Sequence, residues 1–244
     1  MKKRNMIGIA AALIAALAGC SAAEPDYMEL RSQALETLDQ EAAVHMVNDY
    51  TISMDGQNET ISTELWFVNS LTWVQITSQT GGTKNWTVTK NGEQYARTQA
   101  SELDTGWTKM DTQTVMEHVG RGVYEETMTL VEGSQENGET KIICSVPEDA
   151  LFEHWQSQAQ QVPEDMQETL EKPVSVQYTY YLDKEDRLSR IEALSESTMK
   201  QQAGDELKEV SISTESLAEF TPVSKDEALE NIQEIYDQAV SETE

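Results

Sequence analysis

Asn85-Trp86-Thr87-Val88-Thr89-Lys90-Asn91-Gly92-Glu93-Gln94-Tyr95-Ala96-Arg97 reads as a complete β-hairpin. Trp86 and Val88 alternate with Asn85, Thr87 and Thr89, the period of two that sends successive side chains to opposite faces of a strand. Asn91-Gly92 then supplies two residues that accept positive φ, which a two-residue hairpin turn requires at both central positions. Tyr95 and Arg97 lie on the return strand. The same pattern extends upstream. Val44, Met46, Tyr50, Ile52 and Met54 form a strand-like stretch that stops at Asp55-Gly56. Ile61, Leu65 and Phe67 share a face of the next run, Asn69-Ser70 turns the chain, Val74 and Ile76 mark a third strand, and Gly81-Gly82 turns it again. Downstream, Asp104-Thr105-Gly106-Trp107 closes a further short pair. So few residues separate these runs that they must be antiparallel neighbours, a β-meander.

Strands resume with Tyr124, Met128 and Leu130, and Glu136-Asn137-Gly138 turns the chain. Ile142, Cys144 and Val146 alternate, which points Cys144 at the core. Pro173 is followed by the clearest alternation of all: Val174, Val176, Tyr178, Tyr180 and Leu182. Lys184-Glu185-Asp186 makes the next turn, and Ile191 and Ala193 face inward on the strand that returns. Gly204-Asp205 turns once more, and Val210 and Ile212 share a face of the last strand.

Helices flank and interrupt this meander. Asp26 can cap a helix whose Tyr27, Leu30, Ala34, Leu35 and Leu38 form one apolar stripe. Residues 111–119 and 147–160 read as helices, and residues 156–171 include a polar loop. Ser224-Lys225-Asp226-Glu227 is a capping box, with Ser at N-cap and Glu at N3. It opens a final helix with Leu229, Ile232, Ile235, Tyr236 and Ala239 on a narrow stripe, which predicts a helix peripheral to the core.

The N-terminus carries an address. Lys2, Lys3 and Arg4 precede an apolar run of residues 6–18, too short for a membrane-spanning helix and right for a secretory leader. The run ends at Leu17-Ala18-Gly19-Cys20, which resembles the bacterial lipobox. That resemblance implies a diacylglycerol on the Cys20 thiol and cleavage just before it. Two acyl chains hold a protein stably at a membrane, where one does so only marginally. The chain therefore divides into a signal peptide (1–19), the lipidated Cys20 and linker (20–26), a folded domain (27–222) and a C-terminal helix and tail (223–244).

Loss of the leader removes three of the 17 basic residues and none of the 44 acidic ones, so the net charge moves from −27 to −30. So acidic a body repels phosphate backbones, which excludes nucleic acid as a partner. It also repels anionic lipid surfaces, so attachment must come from the lipid on Cys20. With Cys20 acylated, Cys144 is the remaining cysteine and no intrachain disulfide can form.

Catalytic patterns are missing. None of His45, His118 and His154 has a second His or Cys three or four residues away, and no nucleophile elbow, phosphate-binding loop or EF-hand spacing occurs. Asp183, Glu185 and Asp186 read as a solvated turn, and Glu125-Glu126 as a strand edge. No enzyme, metal or cofactor is expected.

The order of elements, with Asn91-Gly92-Glu93-Gln94-Tyr95 leading to Gly106-Trp107-Thr108-Lys109-Met110, resembles the lipoprotein-carrier fold of the LolA and LppX type. That resemblance implies an α+β fold: a curved antiparallel sheet, an unclosed half-barrel, covered by a few helices. It also implies an apolar ligand, a lipid or similar molecule, between sheet and helices. Phe67, Trp86, Met128, Tyr178 and Tyr180 are the candidate lining. The alternative is a tethered sensor or interaction domain with a dry core, whose partner is another envelope protein. A cavity of several hundred cubic ångströms separates the two readings.

Overall fold

A computed structural model describes residues 25–111, 115–116, 118–167, 169–203 and 206–243. Cys20, the leader and the expected Gly204-Asp205 turn lie outside the described residues.

The chain opens with helix α1 (Tyr27–Gln40), followed by strands β1 (Val44–Met54), β2 (Gln57–Asn69), β3 (Thr72–Gln79), β4 (Lys84–Lys90) and β5 (Glu93–Ala100). The short strands β6 (Leu103–Asp104) and β7 (Thr108–Lys109) both pair with β5. After a long connection come β8 (Thr129–Glu136), β9 (Glu139–Ser145), helix α2 (Glu148–Ala159) and the single turn α3 (Glu164–Gln167). Strands β10 (Lys172–Leu182), β11 (Leu188–Ala203) and β12 (Glu206–Pro222) lead to the final helix, α4 (Lys225–Thr243).

All 12 strands join one antiparallel sheet, ordered β6-β5-β4-β3-β2-β1-β12-β11-β10-β9-β8, with β7 beside β5. The sheet is curved and does not close: its ends are β6 with β7 and β8. Nearly every neighbour is a hairpin partner. Asp55, Asn91 and Asn137 have φ of 50°, 55° and 54°, and the glycine after each is also positive. Those are the conformations that Asx-Gly turns supply. The non-local pairing is β1 with β12, an unbroken register from Val44↔Pro222 to Met54↔Ile212.

This topology dictates the connection at residues 110–128, which must carry the chain from one end of the sheet to the other. Ten strand spacings of about 4.8 Å make roughly 48 Å, and some 19 extended residues reach about 63 Å. The connection therefore has the length to reach the far end, with room for the turn at residues 123–127. It crosses the concave face, where Gly120 lies against Phe220 and Gly122 against Tyr178. The helix expected at 111–119 does not form at the described positions Val115, Met116 and His118. A nine-residue helix would rise only about 14 Å where extended chain covers about 30 Å, which uses up the slack in this connection.

The two halves of the sheet bury opposite faces. Phe67 and Trp73 are cross-strand partners and join the core beneath α1. Their neighbours Trp66 and Val74 also pair, but point the other way, into a second core with Val88, Tyr95, Trp107, Ile232 and Ala239. Helix α4 closes that second core. Ala228, Ile232 and Ala239 have no exposed surface, so the helix is not peripheral as its narrow stripe suggested. Its Ala228, Ile232 and Ala239 lie on β2–β5, with Ile235, Tyr236 and Val240 packed beside them.

Two β-bulges move residues off the core. A register shift between Pro173 and Ser175 leaves Val174 54% exposed, outside the alternation that Val176, Tyr180 and Leu182 keep. Another between Leu130 and Glu132 exposes Leu130 and Val131. Tyr124 and Met128 are buried, but in the crossing segment and not in a strand. Among the described residues no helix is long and apolar enough to cross a membrane.

Candidate functional site

The concave face can be followed row by row through the register. One row runs Tyr50–Ser216–Ala193–Tyr178–Cys144 across β1, β12, β11, β10 and β9. The next runs Ile52–Thr214–Ser195–Val176, and the one after it Met54–Ile212–Ser197–Pro173. In the first two of these the middle strands, β12 and β11, contribute Ser, Ala or Thr where the outer strands contribute Tyr, Ile or Val. Small side chains between large ones leave a trough along the sheet.

That trough is a cavity of about 740 Å³. Its floor has a gradient. Met46, Ala218, Phe220 and Ile191 make one end apolar, and Tyr178 and Val176 flank it. Toward the other end come Thr214, Ser195 and Ser197, with the exposed Glu171 at the mouth, where its carboxylate accepts from Ser197 Oγ. Asn48 on the floor accepts a hydrogen bond from Ser216 Oγ at 2.9 Å.

The wall comes from the crossing segment and α2. Gly120 has φ +77°, and a Cβ there would meet the Phe220 ring at 3.0 Å. A Cβ on Gly122 would sit 3.1 Å from the Tyr178 hydroxyl. Glycine at both positions lets the backbone lie directly on the floor residues. Asp39, at the end of α1, holds the segment: Arg121 Nη2 donates to its Oδ2 at 2.6 Å, and His118 Nδ1 lies 3.2 Å from its Oδ1. The Tyr124 ring meets that of His154 on α2 edge-on at 5.1 Å, so the wall is continuous from segment to helix.

Beneath α1 lies a buried polar cluster. Arg31, on the helix's inner stripe and 4% exposed, pairs with Glu125 at 2.9 Å and donates to the Glu125 carbonyl at 3.2 Å. Its guanidinium stands 5.2 Å from the centre of the Tyr180 ring and donates to Met128 Sδ at 3.3 Å. Breaking such a pair strands a charge out of water, at a cost of about 3–5 kcal/mol. Burial pushes the hydroxyls of Tyr178, Tyr124 and Tyr180 above their usual range, so all three stay neutral donors at ordinary pH. Burial also pushes up the Cys144 thiol, which is unpaired, has no exposed surface and touches Met28 Sδ at 3.7 Å. A thiol so raised is a poor nucleophile.

Of the five candidate lining residues, Tyr178 lines the trough. Tyr180 and Met128 sit in the core under α1, where the Tyr180 hydroxyl donates to Met128 Sδ at 3.4 Å. Phe67 packs at the edge of that core. Trp86 is on the opposite face, against the second core and within cation–π range of Lys84 and Arg97. Sequence reading missed the small residues Ala193, Ser195, Thr214 and Ser216. Their signal was present, as inward positions occupied by residues too small to fill a core. Among the described residues no group of three or more His, Cys, Asp or Glu could hold a metal ion.

No family model and no curated protein matches the sequence. Solved structures do. LprF from Mycobacterium bovis is 8% identical, with a TM-score of 0.37 over 82% of this chain and 96% of that one. A putative outer membrane lipoprotein-sorting protein domain from Vibrio parahaemolyticus is 12% identical, with a TM-score of 0.28 over 84% and 97%. A LolA superfamily protein from Nitrosomonas europaea is 7% identical, with a TM-score of 0.26 over 78% and 90%. The likeness is one of architecture. At these scores it carries no argument about ligand or partner, which rest on the trough alone.

Proposed function

We propose that this chain is a lipid-tethered extracytoplasmic protein that holds an amphiphile in the trough on the concave face of its sheet. The observation that carries this reading is the trough itself. Its volume falls within the range of about 300–1,000 Å³ typical of small-molecule sites, and a dry core would have filled it. The floor gradient supports an amphiphile over a wholly apolar ligand. An apolar chain would lie on Met46, Phe220 and Ile191, and a polar head would meet the hydroxyls of Thr214, Ser195 and Ser197. The carboxylate of Glu171 at the mouth favours a neutral or cationic head.

In this reading residues 1–19 are a leader, Cys20 carries the acyl anchor, residues 20–26 are a linker to the membrane and residues 27–222 form the carrier domain. Residues 223–244 are the C-terminal helix and tail, of which α4 closes the second core. Cys20→Ser should abolish incorporation of labelled fatty acid, and label persisting on the variant would contradict the anchor.

Ligand binding is tested by titrating a chain that starts at Ser21 with an environment-sensitive fatty-acid probe. Saturable binding at micromolar concentrations is expected, with quenching of tryptophan fluorescence in step. A linear, unsaturable signal would contradict the reading.

A further inference from the structure

The convex face of β1, β12 and β11 is uncovered among the described residues, because α4 lies over β2–β5 and α1 and α2 lie on the other side. On it Val47, Leu217 and Leu194 are exposed by 37%, 37% and 50%. The register places them on a diagonal, one residue per strand. Val47 sits between Glu64 and Glu219, Leu217 between Asp49 and Glu192, and Leu194 beside Glu215. Carboxylates thus flank an aliphatic ridge on both sides. A shallow depression of about 330 Å³ follows the lower half of this ridge, between Asp49, Glu192, Glu215 and the two leucines. The nearby cation, Arg190, is folded 3.7 Å over the Tyr181 ring and faces Glu192.

We infer that this face is a docking surface for a cationic amphipathic helix of another protein. The ridge is about 16 Å long, from 4.8 Å between strands and 3.3 Å per residue. That is the length of about 11 helical residues, or three turns. A helix with an apolar stripe and Lys or Arg on both sides of it places its apolar groups on the ridge and its charges over the carboxylates. None of the described helices of a second copy supplies it. The outer side of α4 carries Glu227, Glu230, Glu234 and Asp237, and α1 has Arg31 turned inward. Anionic lipid and nucleic acid are repelled by the same carboxylates.

The test uses the full-length chain in maltoside micelles and three labelled 14-residue peptides. One is a Leu-striped helix flanked by Lys, the second has the same composition with the stripe scrambled, and the third has Glu in place of Lys. Each carries a benzophenone so that its binding site can be mapped. The striped Lys peptide is expected to bind tightest, to cross-link to β12 and β11, and to weaken several-fold in 0.5 M salt. Leu194→Ser with Leu217→Ser should weaken it about tenfold in the same micelles. Both residues are exposed, so the melting temperature should hold, and peptide bound by the micelles alone is common to both proteins. Equal binding of the scrambled peptide, unchanged affinity in the variant, cross-links confined to α4 or no binding at all would each overturn the proposal.

Discussion

Ala193 and Ser216 stand side by side on the floor of the trough, with Tyr178 on one flank and Tyr50 on the other. Replacing either small residue by Phe adds volume where the protein has space, so stability should change by less than about 1 kcal/mol against the 1–3 kcal/mol of an overpacked core. Probe binding should nevertheless be lost, and equal binding with a matched melting curve would mean that the ligand sits elsewhere. Cys144 belongs to the same row and makes the opposite case, a small residue packed on every side. Its thiol should react with a maleimide slowly in native protein and at the free-thiol rate in denaturant. Fast native labelling would contradict the register of β9.

At the scale of elements, α4 turns from appendage into core. Ile232→Ala should cost about 2–4 kcal/mol, as deletion of a buried aliphatic chain does, measurable by denaturant titration. A change within 0.5 kcal/mol would return the helix to the periphery. Its docking also responds to acid. Glu93 on β5 accepts from Lys109 and from the Tyr236 hydroxyl of α4 at 2.6 Å, and the Lys109 bond comes first in holding its carboxyl below the usual carboxylate range. A depressed carboxylate contributes stability above its unfolded pKa and loses it as pH falls through the folded value. The Glu93 bond raises Tyr236 to about 12, so this phenol stays a donor until strongly alkaline pH. Tyr236→Phe should therefore lower the melting temperature at pH 7, and the gap should narrow as the pH falls through the depressed Glu93 value. A difference that stayed constant down to the pH of acid unfolding would remove Glu93 from the account.

For the molecule as a whole, what the sequence showed was local. The Asx-Gly turns and the two-residue period specify each hairpin, because a hairpin needs no information from outside itself. The helices α1, α2 and α4 carry their own caps or stripes. The pairing of β1 with β12 lies more than 150 residues apart in sequence and has no local signal. From that pairing follow the crossing segment, the burial of Glu125 against Arg31 and the trough between β11 and β12. Trp86 shows the same limit from the other side: alternation says that it faces away from Thr87, but not which face of the sheet meets which helix.

The central claim is that the trough holds an amphiphile, and the most direct measurement is the mass of what travels with the protein. The chain starting at Ser21 and its Ala193→Phe variant, each exported behind a cleavable signal peptide without a lipobox, would be purified in parallel, then compared by native mass spectrometry and by organic extraction. The expected result is a stoichiometric lipid-sized adduct on the unsubstituted chain, recovered in the extract, and its loss from an equally folded variant. An unsubstituted chain that carries no adduct, or an adduct retained undiminished by the variant, would contradict the claim.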